Sequence, residues 1–270
     1  FVKLDNTLSP EMAAGLLTGG LTSTPGFSAA KEVPNINQDA ISAGYGIAYL
    51  YGVLGVVLFV QLVPKILKVD MAKERESFVA ANSVVIPEPK AKLTQLEEFG
   101  FFPFFLAVAF GCIIGAIEIP KINFSLGNSG GTLVAGLIIG HFGRIGKLDC
   151  RISKQTLNFM RELGLVLFLI GAGVPGGVNF VSNVKFSYFI YGAVMTTVPM
   201  VVGYIIAHYV FKLSLFNNLG SITGGMTSTP ALGSLIATAG TDEVSSAYAA
   251  TYPLTIVSID LTAKIIVMIL

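Results

Sequence analysis

The sequence predicts an all-α, multi-pass membrane protein made of two inverted structural repeats with discontinuous or re-entrant helices carrying T-G-G-x-T-S-T-P. Three observations lead there. The 270 residues are 53% hydrophobic and only 12% charged, with mean hydropathy +0.74, whereas a soluble domain carries about 25% charged residues to form its polar skin. Twelve of the charges fall between Lys65 and Glu98, leaving long uncharged stretches elsewhere. An eight-residue segment rich in Gly, Ser, Thr and Pro occurs twice inside the apolar regions. Together these exclude a soluble enzyme, a nucleic-acid reader and a disordered chain.

Taken in order, residues 1–10 lack the basic and apolar regions of a signal peptide and do not begin with Met, so a fragment or a chain lacking its first part is expected. A transmembrane helix needs about 20 mostly apolar residues. Uncharged runs of that size are Ile41–Pro64, Phe99–Ile117, Ile122–Gly143, Leu163–Val184 and Phe186–Phe211. Leu213–Thr241 is equally long but full of Gly, Ser, Thr and Pro, and Leu8–Ala30 shares that composition. Val244–Leu270 is interrupted only by Asp260 and Lys264. The division expected is 1–65 as the remainder of a first membrane repeat, 66–98 as a cytoplasmic linker and 99–270 as a second repeat. Pro87-Glu88-Pro89 marks a turn within the linker, where a soluble domain is an equal alternative to a plain loop.

Orientation follows from the basic residues. Lys65, Lys68, Lys73, Arg75, Lys90 and Lys92 lie in one connection, and Arg144, Lys147, Arg151, Lys154 and Arg161 in another; the connection between them holds only Lys121. The positive-inside rule makes both basic loops cytoplasmic. With no Trp, interfacial anchoring falls to the nine Tyr and to Lys and Arg.

The repeat carries the functional reading. Thr18-Gly19-Gly20-Leu21-Thr22-Ser23-Thr24-Pro25 matches Thr223-Gly224-Gly225-Met226-Thr227-Ser228-Thr229-Pro230 at seven of eight positions, 205 residues apart. Tyr45 and Tyr49 are echoed by Tyr248 and Tyr252. Pro25 and Pro230 lack an N–H, so each segment interrupts its helix, and irregular backbone at membrane depth persists only inside protein or beside water. Paired interrupted spans are the sequence pointer to a transporter's midplane site, and the helix starting after each break suits a carboxylate. The fourteen residues Thr18, Gly19, Gly20, Thr22, Ser23, Thr24, Pro25, Thr223, Gly224, Gly225, Thr227, Ser228, Thr229 and Pro230 are therefore the expected solute-binding set. Close helix packing is the plainer alternative for the glycines. A re-entrant hairpin at 213–241, tipped at Thr227–Pro230, would invert one copy relative to the other.

Second-rank candidates are Asn128 and Ser129, where a helix opens inside the membrane region, the four tyrosines Tyr45, Tyr49, Tyr248 and Tyr252, and Asp260 with Lys264. The last two stand one turn apart and are able to neutralise one another; ionisable groups in a membrane span are functional candidates by default. Arg161, Glu162, His141 and His208 fit helix ends. No metal-ligand spacing, no phosphate-cradling loop and no base near Ser23 or Ser228 occur, so no cofactor, metal or catalytic residue is expected.

The chain resembles the bacterial aspartate:alanine exchanger (AAEx) family of transporters. The resemblance rests on the two T-G-G-x-T-S-T-P segments, on Ala247-Tyr248 through Tyr252-Pro253 and on Met160-Arg161-Glu162-Leu163-Gly164-Leu165, and it extends from residue 8 onward. Members carry two TrkA-C-type regulatory domains between the membrane halves, where only 66–98 stands here, and begin with further helices. The resemblance implies a secondary antiporter that exchanges small amino acids or dicarboxylates across the bacterial inner membrane, with a regulated channel as the alternative. It implies as partners a small carboxylate-bearing solute and the bilayer, no nucleic acid, and a homodimer as one assembly to test.

Overall fold

A computed structural model describes residues 5, 7–82, 93–119, 124–125, 127–178 and 185–269. Pro87–Glu88–Pro89, Lys90, Lys92, Lys121 and the Ser129 side chain lie outside what it describes. The described chain is mostly helical and divides into two compact units, residues 1–85 with 173–270, and residues 86–172.

The first unit opens with α1 (Pro10–Gly20) and α2 (Thr24–Lys31), followed by α3 (Gln38–Ile66) and α4 (Met71–Asn82). It resumes with α8 (Phe186–Ile205), which continues into a π-helical turn at Ile206–Val210. Then come α9 (Leu215–Gly225), α10 (Thr229–Ala239) and α11 (Ser245–Ile269). Three stretches, Gln38–Ile66, Phe186–Val210 and Asp242–Ile269, are long and apolar enough to cross a membrane: at about 1.5 Å per residue each exceeds the hydrocarbon thickness of about 30 Å. By contrast α1, α9 and α10 have 11 residues apiece, roughly half that depth.

Local chemistry sets these boundaries. Ser9, Ser23, Asn37, Ser214 and Ser228 each accept a hydrogen bond from a first-turn N–H of the helix they precede, which satisfies a donor that the helix itself leaves orphaned. Pro10, Pro25 and Pro230 occupy first-turn positions, where the missing N–H costs nothing. The core of this unit is formed by Leu8, Met12, Leu16 and Ile47 around the first helices and by Val60, Phe78, Phe216, Leu219 and Leu235 around the later ones.

The second unit holds α5 (Phe101–Gly115), α6 (Gly127–Phe142), a short hairpin pairing Arg144–Ile145 with Leu148–Asp149, and the start of α7 (Lys154–Val178). Helices α5 and α6 touch backbone to backbone: a methyl on Gly111, Gly115 or Gly131 would strike the facing Thr132, Gly127 or Gly111 main chain. Small residues at four-residue spacing permit this approach. Asn128 is exposed on the first turn of α6, and its carbonyl accepts from Thr132. A cavity of about 410 Å³ in this unit is lined by Phe104, Thr132, Ile139, Cys150 and Ile152 among others.

Candidate functional site

Both copies of the repeated octapeptide fold into the same helix–break–helix. In the first, Thr22 N–H donates to Gly19 O and Ser23 N–H to Thr18 O; in the second, Thr227 donates to Gly224 O and Ser228 to Thr223 O, all at 2.8–3.0 Å. This is the Schellman arrangement, which places one residue in the left-handed region. That residue is Thr22 (φ 53°) in one copy and Thr227 (φ 50°) in the other. Glycine is usual there, and for a β-branched residue the conformation is a genuine outlier.

The reason for threonine lies across the break. Thr22 Oγ1 donates to Met226 O at 2.8 Å, and Thr227 Oγ1 donates to Leu21 O at 2.9 Å. Each tip thus hydrogen-bonds the other through equivalent atoms. Glycine would relax the backbone but could not make this bond.

Packing around the tips is equally paired. Gly15 and Gly19 of α1 abut the Ile41 and Tyr45 main chain of α3; Gly220 and Gly224 of α9 abut Val244 and Tyr248. A methyl at Gly224 would stand 2.6 Å from the Tyr248 carbonyl oxygen. Each entering helix therefore runs alongside, and in the same sense as, the long helix that follows it. The helices after the breaks cross over instead. Gly26 of α2 packs on Ile259 of α11, while Ala231 and Leu235 of α10 join clusters with Val56 and Val60 of α3. Gly52 lies against Gly19, Gly20 and Thr22, about midway along α3. Tyr45 stacks on Tyr49 with ring centroids 5.0 Å apart, and Tyr248 on Tyr252 at 4.9 Å. Tyr45 and Tyr248 are buried beside the breaks.

The fourteen expected binding residues thus separate by what their polar atoms already do. Thr18 and Thr223 donate back to their own helices. Ser23 and Ser228, fully buried, cap Gly26 and Ala231. Gly20 O accepts from Thr196 of α8 at 2.9 Å. Gly225 borders a cavity of about 230 Å³ with Pro199, Met200 and Ser221. Thr24 and Thr229 are half-buried, with Pro25 beside the first and Pro230 exposed beside the second. Among the described residues, the Thr24 and Thr229 N–H groups have no acceptor. At the first turn of α10 the Thr229 hydroxyl and amide therefore remain available together, whereas at the first turn of α2 the Thr24 hydroxyl meets the hydroxyl of the buried Tyr45 and leaves the amide.

Asp260 and Lys264 are buried in α11, and Lys264 Nζ lies 3.6 Å from Glu32 Oε2 at the end of α2. Composition gives Glu32 no distinction, because it sits in the polar stretch before α3; only the fold brings it to Lys264. Two further side chains escape sequence reasoning. Glu74 of α4 accepts from Leu215 N–H at the start of α9, and Arg75 Nε donates to Ala239 O at the end of α10, at 3.1 and 2.5 Å. A carboxylate thus meets the positive end of one helix and a guanidinium the negative end of the other. Phe78 of the same helix stacks edge-on against Phe216. The alternation of charge at 74 and 75 was the available signal, masked by the charged surroundings.

Apolar helices long enough to span, together with paired polar breaks buried in protein, define a membrane protein of the permease class. The chain belongs to the family described as "Predicted Permease Membrane Region" (Asp-Al_Ex), which matches residues 2–65 and 103–268, in agreement with the aspartate:alanine exchanger resemblance. It is similar to an "Uncharacterized transporter" of Bacteroides thetaiotaomicron, 35% identical over 64% of this chain and 34% of that protein. It is also similar to a "Putative transport protein" of Dichelobacter nodosus, 34% identical over 67% of this chain and 33% of that protein. The chain spans about a third of the length of the curated relatives it matches. No solved structure matches it.

Proposed function

We propose that this chain is the core of a secondary antiporter that exchanges small amino acids or dicarboxylates across the bacterial inner membrane. The observation that carries the reading is the reciprocal pair of bonds between Thr22 and Met226 and between Thr227 and Leu21. Two half-depth hairpins whose tips meet midway along the spanning helices fit inverted repeats entering from opposite faces, the arrangement that surrounds a central carrier site. The packing sense agrees: α1 follows α3 and α9 follows α11, while α2 lies on α11 and α10 on α3. With the Lys65–Arg75 segment inside, the first hairpin opens outward and the second inward.

The solute's carboxylate is met by the Thr24 and Thr229 hydroxyls and the N–H groups at the two helix starts, where the dipole favours negative charge. Thr22 and Thr227 hold the tips rather than the solute. Direct tip-to-tip bonds at 2.8 and 2.9 Å leave no gap between those atoms, which favours alternating access over a standing channel.

Counterflow in proteoliposomes tests this, using the full-length protein against a panel of amino and dicarboxylic acids. An exchanger takes up labelled solute only when unlabelled solute is loaded inside; a channel takes it up regardless. Thr24→Val with Thr229→Val removes both hydroxyls and keeps shape, so exchange is expected to fall well beyond any loss of folded protein. Unchanged exchange in that pair would remove these hydroxyls from the mechanism.

A further inference from the structure

The cavity of about 410 Å³ in the second unit is walled by α5, α6, the segments flanking the 144–149 hairpin and Leu157 at the start of α7. Three polar side chains line it, and each is turned elsewhere. The Thr132 hydroxyl donates to Asn128 O at 2.8 Å, the Cys150 thiol points to Leu148 O, and the Arg151 guanidinium grips Asp149 at 2.7–3.2 Å. What remains is hydrocarbon and bare backbone. Phe104 and Val108 of α5 and Ile139 of α6 line the space, and a methyl on Gly136 or Gly140 would meet nothing within 4 Å. A polar solute would give up its water here for no return, whereas a hydrocarbon chain has none to lose. Phe105 and Phe142 nearby are 59% and 66% exposed, so the apolar surface continues out of the cavity.

The hairpin end of this unit is basic. Arg144 follows the lining Gly143, Lys147 stands in the hairpin turn, and Lys154 opens α7 three residues before the lining Leu157. All three are exposed, and none is in an ion pair among the described residues. Thr94 N–H donates to Lys147 O, which brings Glu97 and Glu98 to the same end. Glu97 accepts from the Phe99 and Phe102 N–H groups at the start of α5, and Asp149 is matched by Arg151. Three cations therefore stand against Glu98.

We propose that this cavity binds an anionic phospholipid, with one acyl chain in the cavity and the phosphate at Arg144, Lys147 and Lys154. Neither half suffices alone. Lipid tails are as apolar as the side chains of a span, so a cavity by itself accepts the chain of any lipid. Basic residues at a membrane surface attract anionic headgroups, but without the cavity they hold them only loosely. Joined, the gap left by Gly136 and Gly140 fixes where the chain lies, and the cations decide which headgroup it carries. A free phosphate would use the second feature and leave the first unexplained.

Photolabelling of the full-length protein in phosphatidylcholine liposomes tests the site. Trace phosphatidylglycerol or phosphatidylcholine, each with the same diazirine-bearing acyl chain, is irradiated and the labelled peptides are mapped. The phosphatidylglycerol probe is expected to label 103–108 and 136–140 severalfold more than the phosphatidylcholine probe. Gly136→Leu with Gly140→Leu fills the cavity and is expected to abolish that excess, while labelling of Phe186–Val210 serves as the reference for folded protein. Arg144→Gln, Lys147→Gln and Lys154→Gln together, all at exposed positions, are expected to equalise the two probes. Equal labelling in wild type means ordinary bilayer contact and overturns the proposal. Absent labelling of both segments, which leaves the cavity to another part of the protein or a second copy, overturns it as well. Should the leucine variant fail to fold, an excess that survives loss of the three cations overturns it equally.

Discussion

Replacing Thr22 and Thr227 by Val removes the two bonds between the hairpin tips while keeping side-chain shape and the left-handed backbone. Both threonines are 6% exposed, so the deserted Met226 and Leu21 carbonyls have no water to turn to. A hydrogen bond between membrane helices averages about 0.6 kcal/mol, whereas a buried group left unsatisfied costs about 1–3 kcal/mol. Burial selects the larger figure, so each single Val variant is expected to lose about 2 kcal/mol and the pair about 4 kcal/mol. Detergent-titrated unfolding, followed by helix content, measures this. Thr→Ser at either site keeps the hydroxyl and is expected to retain most of the stability. Thr22→Gly provides a second sign: it loses the bond but relieves a left-handed strain of about 1–2 kcal/mol, and is expected to lie near wild type. A Val pair as stable as wild type, or Ser variants as damaged as Val, would refute the reasoning.

Gly224→Ala drives a methyl into the Tyr248 main chain and is expected to cost about 1–3 kcal/mol in the same unfolding assay, whereas Gly233→Ala, with open space beside it, is expected to gain about 0.5–1 kcal/mol. Arg75→Ala removes the donor at the end of α10 and is expected to speed backbone hydrogen exchange in 236–240, with Glu74→Ala doing so at the start of α9. In the second unit, hydrogen bonds from Arg151 hold the Asp149 carboxyl below its ordinary value. A lowered carboxyl contributes stability above its unfolded value and loses it as pH falls through the folded one. The 144–151 hairpin should therefore be less protected at acidic than at neutral pH, protection being the intrinsic amide exchange rate at each pH divided by the observed rate, a difference Asp149→Asn should abolish.

The hairpins were legible because a duplicated octapeptide with Gly-Gly and Thr-Pro dictates both a helix stop and a helix start. The sequence places the second tip at Thr227–Pro230; the structure breaks the helix at Met226–Ser228 and begins the next at Thr229, since Ser228 serves as cap. What threonine does at 22 and 227 was not legible: left-handed backbone is glycine's habit, and the partner is a carbonyl that every residue owns. Glu32 and Lys264 are 232 positions apart, and no periodicity links them. Residues 71–82 read as charged linker, yet Phe78 is 2% exposed, because a helix with few apolar residues can still bury one of them well.

Contact through main-chain oxygen has a further implication for how the two copies drift apart. Of the eight repeated positions only Leu21 and Met226 differ, and these are the residues whose carbonyls receive the tip hydrogen bonds, while their side chains share one apolar cluster. An acceptor of that kind is indifferent to the side chain above it. The lock between the copies thus tolerates the exchange of one apolar side chain for another on its receiving side and forbids loss of the hydroxyl on its donating side, so the one difference between the copies leaves both bonds intact.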